Sequence, residues 1–217
     1  MKTDGQLQQD VIAELKWEPS VNAAHIGVEV TRGVVTLTGQ VNSYSEKGSA
    51  EMAAQRVAGV SALAVELTVQ LPGTHVRSDA DIAHSAQNVI QWTNYLPKES
   101  VRVMVEKGWI TLSGEVDWDY QRQSALAAVR GLTGVIGVVD QLVIKPRISL
   151  SAVKSDIEAV LRRRATMDAQ NISVAVDGGD ITLTGTVRNW SDRETARHSA
   201  WGTPGVHNVI DKMTVAF

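Results

Sequence analysis

The sequence predicts an α+β protein of three tandem two-layer αββαβ units, each a three-stranded mixed sheet with two helices on one face. Three observations predict it. The phrase Gly33-Val-Val-Thr-Leu-Thr-Gly39 recurs as Gly108-Trp-Ile-Thr-Leu-Ser-Gly114 and as Gly179-Asp-Ile-Thr-Leu-Thr-Gly185, at offsets of 75 and 71 residues. Near-constant spacing marks one small unit copied three times. Period-two alternation surrounds every copy of the phrase, as strands with one buried face require. Apolar residues at helical spacing precede and follow it.

The first element is a helix. Its apolar stripe is Leu7, Val11, Ile12 and Leu15, then Ile82, Ala86, Val89 and Ile90, then Val153, Ile157, Val160 and Leu161. Ser78 and Ser151 are placed as N-caps, and Asp79 and Asp81 suit the positive end of the helix dipole. A first strand follows, with Ile26, Val28 and Val30 inward, matched by Val101, Val103 and Val105 and by Ile172, Val174 and Val176. Thr31 to Gly33, Glu106 to Gly108 and Asp177 to Gly179 read as hairpin turns. The second strand turns Val35 and Leu37 inward, and likewise Ile110 with Leu112 and Ile181 with Leu183. Thr36, Thr38, Thr111, Ser113, Thr182 and Thr184 face the other way. Gly39, Gly114 and Gly185 are expected to break this strand.

A second helix presents a small-residue stripe: Ala50, Ala53, Ala54 and Val57, then Ala125, Ala128, Val129 and Leu132. It stops before Gly59, Gly134 and Gly205, which suit a left-handed helix end. The third strand carries Leu63, Val65, Leu67 and Val69, then Val138, Leu142 and Ile144, then Val209, Met213 and Val215. Both helices on one face leave the other sheet face open. That face is polar except for Trp109. Pro72 and Pro146 mark the boundaries, giving expected domains 1–73, 77–146 and 149–217.

Composition excludes several classes of function. Net charge is −3 over 217 residues, with five basic and eight acidic groups in residues 1–76 and eight of each in 77–147 and in 148–217. No global field pulls the chain toward nucleic acid. The absence of cysteine excludes disulfides, thiolate metal sites and cysteine nucleophiles. Met1 to Gln6 lead directly into a polar helical pattern with no apolar leader core, and no run reaches membrane-spanning length. The expected location is the cytoplasm for the sequence as given, or the periplasm if a leader has been removed.

A helix, alternating valines around Gly-x-Val/Ile-Thr-Leu-Thr/Ser-Gly, and an Ala-rich helix ending in Gly-Val resemble the BON domain, named for bacterial OsmY and nodulation proteins. The resemblance covers about residues 5–71, 78–146 and 149–216 as three tandem, OsmY-like copies. It implies the same helix–strand–strand–helix–strand fold, a bacterial envelope or osmotic-stress setting, and binding to phospholipid surfaces without catalysis. In one envelope relative, the first helix of a BON domain contacts lipid. A cytosolic relative joined to a LysM domain senses potassium. This chain departs from the best-known members in having three copies, and the sequence as given leads to the expectation of no export signal.

The tryptophans and one basic run are the candidate site. Trp17 and Trp92 fall at the same place near the ends of the first helices, off the apolar stripe, next to Lys16 and Gln91. An exposed Trp there suits the headgroup level of a bilayer. Arg162, Arg163 and Arg164 occupy the matching place in the third copy and suit phosphate groups. Trp109 is expected at an interface on the open sheet face, and Trp201 in the core. His25, His75, His84, His198 and His207 show no metal-ligand spacing, the carboxylates form no catalytic pair, and the glycine phrase lacks the Gly-Lys-Ser/Thr of a phosphate loop. The expectation is a non-enzymatic phospholipid-surface binder with no cofactor. The alternatives are a protein-binding or self-assembling scaffold and a small-ligand or potassium binder.

Overall fold

The computed structural model describes residues 2–145, 172–177, 179–203, 206 and 208–215. The first helix expected in the third copy and the run Arg162 to Arg164 lie outside them. The first copy is α1 (Asp4–Trp17), β1 (Ile26–Thr31), β2 (Val34–Val41), α2 (Tyr44–Arg56) and β3 (Ala62–Val69). The second is α3 (Asp79–Trp92), β4 (Val101–Glu106), β5 (Trp109–Val116), α4 (Asp119–Arg130) and β6 (Gly137–Ile144). The third shows β7 (Ile172–Asp177), β8 (Asp180–Val187), α5 (Trp190–Trp201) and β9 (Asn208–Val215).

Each copy holds one three-stranded sheet with the phrase strand in the middle. β1 and β2 run antiparallel with Val28 opposite Leu37, whereas β2 and β3 run parallel with Leu37 opposite Val65. The third sheet repeats this register, with Val174 opposite Leu183 and a parallel β8–β9 ladder. The parallel step follows from the helix between the two strands, which returns the chain to the starting edge. The mixed α+β unit matches the sequence expectation.

Cores follow the predicted stripes. Leu7, Val11 and Leu15 of α1 and Ala50, Ala53 and Ala54 of α2 close over Val35, Leu37 and Leu67. Ile82, Ala86 and Ile90 close over Ile110 and Leu112 with Ala125 and Val129. The alanines let α2 and α4 lie close to the sheet. The chain forms two compact units. Among the described residues, one takes those up to Gly114 with Ser124–Leu142, and the other takes Glu115–Gln123 with those from Val143 to Val215. Within the first unit, Tyr44 of α2 packs against the second core cluster. Burial there pushes the Glu51 carboxyl above its ordinary range, against the pull of Lys47 and Arg130.

Two local devices escape the sequence patterns. The hairpin turns place Arg32 and Lys107 at φ 50° and 49°, each before a glycine at φ 77°. The first residue of the preceding helix holds each turn. Asp4 accepts the backbone N–H groups of Arg32 (2.8 Å) and Gly33 (3.0 Å), and Asp79 accepts those of Lys107 (2.7 Å) and Gly108 (2.9 Å). These aspartates therefore staple helix to hairpin as well as facing the dipole. Second, Gly39, Gly114 and Gly185 do not end their strands. β2 continues through Gly39 (φ 118°) to Val41, and a side chain at Gly39 would overlap the His25 carbonyl oxygen. The glycine lets β1 and β2 approach without breaking the ladder.

Candidate functional site

Trp17 and Trp92 are the last residues of α1 and α3. Both lie two positions past a core residue, Leu15 or Ile90, and two helical steps turn a side chain about 200° away. They are 81% and 85% exposed. Lys16 is exposed beside Trp17 in the last turn of α1.

The end of α1 is braced. Arg56, the last residue of α2, donates its Nε to Glu14 (3.0 Å) and an Nη to Glu18 (2.9 Å), on either side of Trp17. The Arg56 hydrogen bond holds the Glu18 carboxyl below the usual range. A hollow of about 490 Å³ beside Trp17 is lined by Ala13, Val57, Ala58 and the Lys2–Asp10 ion pair (2.7 Å). The end of α3 has a different support. Thr93 donates its Oγ1 to the Val89 carbonyl at 2.7 Å, closing the helix just after Trp92.

A groove of about 730 Å³ runs between α3 and β4, lined by Ile90, Leu96, Pro97, Val101 and Val103. Lys98, Glu99 and Arg102 also line it. Sequence reading missed Lys98 and Arg102. The first lies in the loop after α3 and the second on the outward face of β4, and neither position carries a local signal. Gln91, named beside Trp92 from the sequence, lines the same groove.

Trp109 opens β5 on the face away from the helices and is 48% exposed. Its ring covers the backbone of Gly137, where any side chain would overlap it. Met104 and Val139 are exposed on the same second sheet. Trp201 corrects its core assignment. It ends α5, half-buried, and packs at the margin of the third cluster. The α5 stripe that reaches the core is Ala196, Ser199 and Ala200, one position short of it. Arg193 lies 5.0 Å over the Trp190 ring and pairs with Asp211 at 2.7 Å. Among the described residues, no group of three or more His, Asp or Glu could hold a metal, and no helix is long and apolar enough to cross a membrane.

The BON domain profile matches residues 3–70, 78–146 and 149–216. Two solved structures of CdsD, a structural protein of the type III secretion system of Chlamydia trachomatis, resemble the chain. Its C-terminal domain matches at 12% identity and TM-score 0.26, covering 100% of both chains. A second CdsD structure matches at 13% identity and TM-score 0.25, covering 96% of this chain and 91% of the other. No curated protein matches the sequence. The BON family is associated with osmotic-stress proteins and with membrane and phospholipid binding in general, and its proteins are generally non-catalytic. With the profile met three times across nearly the whole chain, this protein belongs to the BON domain family and consists of three tandem BON domains.

Proposed function

We propose that this protein is a non-enzymatic, osmotic-stress-associated protein that attaches reversibly to phospholipid surfaces through its tandem BON domains. The observation behind this reading is the pair of tryptophans held in water at equivalent helix ends, Trp17 and Trp92. An indole on a braced helix end is presented for insertion at headgroup depth. Lys16 beside Trp17, and Lys98 and Arg102 on the groove next to α3, favour anionic headgroups. Arg162, Arg163 and Arg164 take the same role in the third copy by sequence position. Weak single contacts gain from linkage, because the second contact is intramolecular.

Vesicle flotation tests the reading. The full chain is expected to float with phosphatidylglycerol-containing vesicles above a phosphatidylcholine control. Burying one indole contributes about 2 kcal/mol, so Trp17→Ala or Trp92→Ala is expected to weaken binding ~30-fold. Equal flotation by wild type and the double variant would remove these helix ends from the contact.

A second reading, a self-assembling scaffold, draws on Met104, Trp109 and Val139 exposed on the second sheet. It predicts a concentration-dependent oligomer in light scattering that Trp109→Asp disperses.

A further inference from the structure

The start of α4 departs from its counterparts. Aligned on the repeated phrase, Trp118 stands where the first copy has Ser43 and the third has Asn189. Those two residues cap their helices, Ser43 accepting from the Glu46 N–H and Asn189 from the Asp192 N–H. An indole accepts no such bond, and losing a cap destabilises a helix. Gln121 makes a partial replacement by accepting the N–H groups of Asp117 (2.8 Å) and Trp118 (3.1 Å). At the end of α5, Trp201 stands where the other copies have Gln55 and Arg130. Two polar positions of the repeat have thus become tryptophan in two different copies. Both line one depression of about 450 Å³, together with Asp119, Tyr120, His198 and Gly202.

Asp119 is only 4% exposed. Its contacts are long: Gln123 Nε2 at 3.5 Å and one Arg122 nitrogen at 3.9 Å. Burial raises its carboxyl above the usual aspartate range, more than Gln123, Arg122, His198 and Arg197 lower it. Arg197 is itself held by Glu194 at 2.6 Å and lies 3.9 Å from Asp211. A buried carboxylate without a close partner is costly and attracts a cation. Aromatic rings add a surface that favours a large, weakly hydrated one.

We propose that the depression lined by Trp118, Asp119, Tyr120 and Trp201 binds a quaternary ammonium group. The methyl shell lies against the rings, and the charge compensates Asp119. A small solute such as choline and the headgroup of phosphatidylcholine both carry this group.

Calorimetric titration of the full chain tests the proposal, with choline chloride as probe. Sodium chloride at equal ionic strength and 3,3-dimethylbutanol, the neutral isostere, are the controls. Saturable binding of choline and none of sodium is expected. The neutral alcohol and the isosteric Asp119→Asn variant are each expected to bind ~10-fold more weakly, the scale of one cation–π or charge contact. Trp118→Ser and Trp201→Gln, which restore residues used by the other copies, are expected to abolish binding while circular dichroism stays unchanged. Met52→Ala, at an exposed position of α2 outside both sites, is expected to bind choline as wild type does. Flotation on phosphatidylcholine vesicles that Trp118→Ser abolishes assigns the lipid headgroup as the source. Choline binding without such flotation assigns a free solute. Choline heat no greater than that of sodium, equal binding of the neutral alcohol, or full binding by Asp119→Asn and by folded Trp201→Gln overturns the proposal.

Discussion

Removing the Asp79 carboxylate frees the β4–β5 turn from α3. The carboxylate receives two backbone N–H groups at 2.7 and 2.9 Å, from residues 28 and 29 positions later. Gly108 is buried and Asp79 half-buried, so water does not fully replace what is lost. A hydrogen bond to a charged group contributes about 1.5–3 kcal/mol. Taking the lower figure for a partly exposed site, the pair contributes about 3 kcal/mol. Lys107 adds its own bias toward opening, since a non-glycine residue in the left-handed region costs about 1–2 kcal/mol. Asp79→Ala is therefore expected to lower unfolding free energy by about 2–3 kcal/mol, and Asp79→Asn, which keeps one acceptor oxygen, by about half that. Urea unfolding followed by tryptophan fluorescence gives the energies, and amide exchange at Lys107 and Gly108 locates them. A loss below about 0.5 kcal/mol, within the range of ordinary surface substitutions, or unchanged protection of those amides would refute the staple.

Three further outcomes follow from the same geometry. Gly114→Ala is expected to cost more than about 2 kcal/mol, because its side chain meets the Ser100 carbonyl oxygen at φ 129°, whereas Gly48→Ala inside α2 meets nothing and is expected to gain about 0.5–1 kcal/mol; thermal melts of the pair check both. Lys107→Asn is expected to raise stability by a few tenths to about 1 kcal/mol, since Asn tolerates the left-handed turn position and the Asp79 bonds are unchanged. The folded state binds the Asp119 proton more tightly than the unfolded chain does, so this contribution is fully present below the ordinary aspartate range and is lost as pH rises through the raised value. Asp119→Asn is expected to flatten that fall, and a urea midpoint that changes equally with pH in variant and wild type would contradict it.

The sequence made the sheets legible because alternation needs only neighbours. Val35, Leu37, Ile110 and Leu112 are all fully buried. It also made Trp17 and Trp92 legible, because a helical wheel separates them from Leu15 and Ile90. It misplaced Gly39, since the reason for that glycine is the carbonyl of His25, in the short turn just before the neighbouring strand β1, a contact with no local pattern. It took Asp79 for a dipole residue because its partners lie on another element. A trace was present: Asp4 and Asp79 occur at the copy offset. The Trp118–Trp201 depression was invisible because two separate copies supply it, although each tryptophan replaces a polar residue of its own repeat.

A chain that writes the same strand three times risks mispairing with itself. As each copy emerges during synthesis, its phrase strand has one free edge until the third strand arrives, and a strand from another copy offers nearly the same face. Trp109 and Gly137 separate the second copy from its siblings. The matching neighbours are Val34 opposite Ala62 and Asp180 opposite Asn208, and neither Ala62 nor Asn208 leaves the bare backbone that the indole covers. A swapped β3 or β9 would bring the Ala62 or Asn208 side chain to the place where the indole lies on bare backbone, so the Trp109–Gly137 pair favours the second copy's own strand.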